Sequence, residues 1–196
     1  IASNPMGEQP GVEAVNLVNQ SGLSAPYASG ITNFDTYVPA TTHDGSGTWN
    51  SAPFVSSGVM TFDLGAVYTV SAMALWQGSN FYNQAIQTVV IRADVDGDFS
   101  SGAISVGSFF SVPVLDPNAT VLIFLSVTAQ FIECTFTNYG NGFGTIAKEI
   151  AFRVDGPQTW TDLGYAKVGA FGPPQLAATG FLTTGSLNTL TLTQAS

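Results

Sequence analysis

The sequence predicts an all-β domain, two layered sheets carrying a short C-terminal extension. Three observations predict it. Seven short runs dense in Val, Ile, Phe and Thr occur between residues 59 and 154, turn-forming residues separate them, and their spacing is that of a sandwich or barrel. A chain of 196 residues suffices for one such core and an appendage.

The elements follow in order. Residues 1–58 are rich in Gly, Ser, Thr, Pro and Asn and read as long loops wrapping a scaffold, with a short helical turn or strand at 12–18. From Val59 the texture changes, and strands are expected at 59–64, 69–76, 86–93, 104–112, 120–126, 131–137 and 146–154. Breaks fall at Gly65, at 78–83, at Asp96-Gly97-Asp98, at Asp116-Pro117-Asn118 and at 138–144, all chemically suited to turns. The domain is expected to end near 156, with 157–186 a linker and 187–193 one more strand, Leu190-Thr191-Leu192-Thr193 alternating apolar and hydroxyl side chains. Such a strand needs a partner in the sandwich, in a further domain or in a neighbouring molecule.

Charge excludes some partners. Thirteen acidic residues against four basic ones, Arg92, Lys148, Arg153 and Lys167, give a formal charge of −9 with no basic stripe, so nucleic acid is not an expected partner. Anionic membranes are disfavoured for the same reason. No apolar stretch approaches a membrane span, so no transmembrane segment is expected. The start at Ile1 has no basic region followed by an apolar run, and the expectation is a chain whose secretion signal has been removed. Only 9% of residues are charged, a surface suited to the outside of a cell. Cys134 is the single cysteine and alternates with large apolar residues, so it reads as a buried apolar side chain rather than a reactive thiol.

Several blocks carry a resemblance. Val59-Met60-Thr61-Phe62-Asp63-Leu64-Gly65, then Tyr68-Thr69-Val70 and Ala74-Leu75-Trp76, form the most specific one. Thr48-Trp49-Asn50-Ser51 precedes it, and Ala129-Gln130-Phe131-Ile132, Asn138-Tyr139-Gly140 and Lys148-Glu149-Ile150-Ala151-Phe152 follow. In order, over residues 30–155, these blocks resemble the discoidin family, the coagulation-factor C-type or galactose-binding-like modules. The resemblance implies a discoidin-like jelly-roll β-sandwich. The tail instead resembles the start of a small β repeat found at the ends of some secreted bacterial proteins.

The resemblance also implies chemistry. Many family members hold a structural calcium with an Asp, a Thr or Ser hydroxyl and a late Glu, for which the matching residues are Asp44, Thr48 and Glu149. Family ligands sit on loops at one end of the sandwich, where the matching residues are Trp76, Asn80, Phe81, Tyr82, Asn138, Tyr139 and Phe143. Trp76 ends a strand and is the first of these expected to plug the core. Asp94-Val95-Asp96-Gly97-Asp98 lacks the Gly and Glu positions of an EF-hand and reads as a hairpin turn. No catalytic residue is assigned, since no nucleophile elbow, paired zinc-binding His or phosphate loop is present. The expected function is non-catalytic extracellular or cell-surface recognition of a glycan or another surface ligand. The alternative is a structural subunit of a filament, sheath or surface layer, assembled by strand addition through 187–193.

Overall fold

The structure is a computed structural model that describes residues 1–28, 32–77, 82–140, 144–155, 176–178 and 192–194. The chain divides into two units, Ile1–Pro157 and Gln158–Ser196.

In the first unit the strands are β1 (Trp49–Asn50), β2 (Ser57–Trp76), β3 (Ile86–Asp94), β4 (Ile104–Phe109), β5 (Ala119–Asn138), β6 (Ile146–Ala147) and β7 (Glu149–Asp155). They form an antiparallel ladder in the order β4-β3-β5-β2-β7, with β1 and β6 paired separately. Two pairs of runs that the sequence separates are single strands of 20 residues, β2 and β5. Pairing passes from Asp63↔Phe131 to Tyr68↔Ala129, so residues 64–67 of β2 stand opposite Gln130 alone. Gly65 adopts a positive φ of 81° there, and the Asp63 carboxylate accepts from the Gly65 N–H at 2.8 Å and from Gln130 Nε2 at 3.1 Å.

The ladder doubles over at this break. Phe62, before it, meets Phe152 of β7 edge to face with centroids 5.4 Å apart, although β7 pairs only with β2 beyond the break. Likewise Cys134 Sγ in the second half of β5 lies 3.9 Å from Met73 Sδ in the second half of β2. One layer is therefore β4, β3, the second half of β5 and the first half of β2. The other is the first half of β5, the second half of β2, and β7. Met60, Phe62, Val70, Met73, Leu75, Ile91, Ile132 and Phe136 fill the space between, in a jelly-roll β-sandwich.

Besides the two-residue β1, the first 58 residues hold a helix that the sequence reading missed, α1 (Phe34–Ala40). Asn33 caps it by accepting from the Thr36 N–H at 3.1 Å. Its Phe34, Tyr37 and Val38 cover Ala72, Ala74, Trp76 and Ala151 on the outer face of the β7 layer. That cover explains why β2 is buried on both faces from Ala72 to Trp76 and loses its alternation there. The expected element at 12–18 is a 3₁₀ turn, Ala14–Leu17, with Leu17 fully buried.

In the second unit, Leu176–Ala178 pairs antiparallel with Leu192–Gln194. The described part of the tail strand thus has a partner within its own unit. Residues 187–191 lie outside the described residues.

Candidate functional site

The registers bring one set of strand ends together. Gly58, Phe136, Val89 and Phe109 stand in one row across the first layer. In the second, Trp76 pairs with both Ala119 and Glu149. Because residues 77–85 join the end of β2 to the start of β3, both rows lie at the same end of the sandwich. The connections before β2, between β2 and β3, after β4 and after β5 all gather there.

Buried polar side chains tie these connections down. Gln77 accepts from the Ile86 N–H at 2.6 Å and donates to Pro113 O at 3.3 Å. Ser51 Oγ accepts from the Thr145 N–H at 2.8 Å, and Thr145 Oγ1 donates to Val55 O at 3.1 Å. Asn138 Nδ2 donates to Gly144 O at 2.7 Å, and the Tyr139 hydroxyl donates to Val112 O at 3.1 Å. Satisfied and dry, such bonds fix loops as firmly as a ladder fixes strands.

Two of the expected ligand residues belong to this support and not to a contact surface. Trp76 is 0% exposed, packed under α1 with its indole N–H on Thr41 O, and Asn138 is 3% exposed. Both end strands at the crowded junction of core and loop, where side chains turn inward. Tyr139 is half-buried, Tyr82 begins a 3₁₀ turn, and Asn80, Phe81 and Phe143 lie outside the described residues.

Two aromatic residues that the sequence reading did not select are exposed at this end. Phe54 is 76% exposed and Phe110 is 73% exposed. Phe54 holds a φ of +68°, and Ser111, next to Phe110, one of +54°. Left-handed backbone costs a non-glycine residue about 1–2 kcal/mol, most for a bulky one, so both loops are held in place by their surroundings. The Phe109-Phe110 pair did carry a signal: neighbours on a strand face opposite ways, so one of them must point outward.

The expected calcium ligands surround one turn. Glu149 is 1% exposed, and its Oε2 accepts from the Gln20 N–H at 2.9 Å. Burial pushes its carboxyl up to about 8, against the pull of the Gln20 and Ile150 N–H groups. On the other side of the turn, Asp44 is exposed and accepts from Ser46 N and Oγ at 2.8 and 2.7 Å, which hold its carboxyl below the usual range. The Thr48 carbonyl accepts from Asn16 Nδ2 at 3.0 Å. Gly22, between them, has a φ of +90°, and a Cβ there would lie 2.5 Å from His43 Cε1 and 2.6 Å from Asp44 Oδ1. Gly22→Ala is therefore expected to destabilise the unit by about 2 kcal/mol or more, read by urea denaturation; an unchanged midpoint would contradict this packing.

Among the described residues, no three His, Cys, Asp or Glu side chains gather as a metal centre. The 94–98 segment is a chain of turns, with Asp94 and Asp96 accepting from the N–H two residues on at 3.1 and 2.9 Å. The single imidazole and the single thiol of the chain lie in the interior. His43 is buried, its Nδ1 accepts from the Gly45 N–H at 3.0 Å, and burial, then the Lys148 ammonium, lowers its pKa. Cys134 is fully buried, which raises its thiol far above ordinary values.

No protein-family model matches this chain, and no curated protein does. Solved structures of low identity do. One is CBM32-3 from a family 31 glycoside hydrolase of Clostridium perfringens, 18% identical over 70% of this chain and 94% of that one, with a TM-score of 0.47. Another is chitosan-binding module 1 of a chitosanase/glucanase from Paenibacillus sp. IK-5, 18% identical over 70% and 96%, with a TM-score of 0.45. A third, CpGH89CBM32-5 of Clostridium perfringens in complex with GalNAc-β-1,3-galactose, is 17% identical over 57% and 79%, with a TM-score of 0.42.

Proposed function

We propose that this chain is a non-catalytic extracellular recognition module that binds carbohydrate through the loops at the strand-end face described above. The observation that carries the reading is the exposure of Phe54 and Phe110 on loops held in costly backbone conformations. An aromatic face stacks on the apolar face of a sugar ring, and hydroxyls and amides beside it complete the ring's hydrogen bonds. Hydrogen bonds from Ser51, Gln77, Thr145 and Tyr139 hold the connections at this end in place before any ligand arrives, which lowers the entropy lost on binding.

Calcium fits this reading as a structural support. A buried acid gains from an opposite charge brought beside it, so Glu149 would anchor a hard divalent cation, with Asp44, Thr48 and carbonyls of the 20–23 turn as the further oxygen donors. The ion would pin the loops to β7 and take no part in any reaction.

A glycan array run with and without calcium tests the function; no hits under either condition would end it. Phe54→Ala and Phe110→Ala are each expected to weaken the best hit about three- to tenfold with the fold intact by circular dichroism. Phe54→Gly separates recognition from folding. Glycine takes a positive φ without strain, so this variant is expected to gain about 1 kcal/mol of stability in urea while binding glycan more weakly. Unchanged binding would remove Phe54 from the site.

A further inference from the structure

We infer that the ligand is a neutral, linear oligosaccharide laid across the strand ends of the four-stranded layer, with Phe54 and Phe110 under different sugar rings. The inference rests on the carbohydrate reading and narrows it to a ligand class.

Spacing sets the length of the ligand. Phe54 precedes β2 and Phe110 follows β4, the two outer strands of that layer, and the second half of β5 and β3 lie between them. The row Gly58, Phe136, Val89, Phe109 puts these strand ends level. Three interstrand spacings separate the outer strands by about 14 Å. A single sugar ring cannot reach from one aromatic to the other, whereas a chain of a few rings can. Hydroxyls line the interval, since Ser57 and Ser111 are exposed and Ser57 Oγ lies 2.8 Å from Thr137 Oγ1.

Charge sets its class. Each described basic side chain already has an acidic partner: Arg92 with Glu133, Lys148 with Asp116 and Arg153 with Asp35. Lys148–Asp116 is the pair at this end of the sandwich, and its members are mostly buried. No described cation is therefore free to meet a uronate, sulfate or phosphate, and the chain's −9 charge repels a polyanion. A polyamine chain would gain from that field, but stacking on two Phe rings needs no charge. Asp44 and Asp98, exposed acids at opposite ends of the sandwich, accept hydrogen bonds from Ser46 and Ser100 within their own turns, as the exposed Asp63 and Asp96 do from the Gly65 and Asp98 N–H groups.

Calorimetric titration of the full chain with cello-, manno- and N-acetylated chito-oligosaccharides of one to six units tests this, with oligogalacturonides and de-acetylated chitosan oligomers as charged counterparts. In at least one neutral series, affinity is expected to rise about tenfold between one unit and three or four, then level off. Phe110→Ala and Phe54→Ala are each expected to flatten that rise while circular dichroism stays unchanged. Equal affinity for one unit and six would overturn the spanning geometry while leaving carbohydrate binding intact. Tighter binding of a charged series than of every neutral one would overturn the neutral class. Silence from all series, with an array that also gives no hits, would remove the carbohydrate reading and this inference with it.

Discussion

Trp76→Ala is expected to cost the first unit about 3–5 kcal/mol, a large fraction of the stability of a single domain. The indole is wholly buried beneath Phe34, Tyr37 and Val38 of α1, and its N–H is bonded to Thr41 O. Removing it opens a cavity between α1 and the sheet and strands the Thr41 carbonyl. For a unit of this size the loss amounts to a fall in Tm of about 10–15 °C. Urea denaturation at fixed pH measures it. A loss under about 1 kcal/mol would mean that α1 does not seal this face.

The second expectation is a stability that declines with rising pH and recovers with calcium. Burial raises the Glu149 carboxyl from 4.5 to about 8. Between those values the folded chain holds a proton that the unfolded chain has lost, so the group's contribution is fullest below about pH 4.5 and is lost as pH climbs through 8. The size is on the order of a few kcal/mol, because a tenfold change in proton affinity corresponds to about 1.4 kcal/mol. Glu149→Gln keeps an acceptor for the Gln20 N–H and cannot ionise, so it is expected to flatten the pH dependence and gain stability near pH 8.5. Calcium is expected to raise the Tm of the unaltered chain at that pH and to leave the Gln variant unchanged. Thermal melts at pH 5 and 8.5, with and without calcium, read all four conditions. A calcium effect equal in both chains would place the ion elsewhere.

The strands were legible because burial on one face imposes a period of two, and 86–93 and 131–137 show it plainly. Ile91 and Ala93 point inward with Arg92 between them, as Ile132, Cys134 and Phe136 do around Glu133 and Thr135. The merging of 59–64 with 69–76 was not legible, since Gly65 signals a break and the strand carries on through a bulge there, with Asp63 bonded to Gln130 across it. Helix α1 was hidden for another reason. Seven residues with Pro39 near the end show too little periodicity to stand out, although Asn33 and Asp35 are an N-cap and a first-turn acid.

The candidate site divides in the same way. The order of blocks was enough to nominate Glu149 as a candidate ligand and to point to the loop-bearing end. Which aromatics face outward could not, because Trp76, Tyr139, Phe54 and Phe110 are chemically alike and differ in what packs over them. Sequence determined the all-β class, the acidic surface and the pattern of turns, which are local consequences of side-chain chemistry and chain stiffness. Tertiary structure decided the doubling of the ladder, the cover over Trp76 and the exposure of Phe54 and Phe110, because each depends on contacts between segments tens of residues apart that no local pattern encodes.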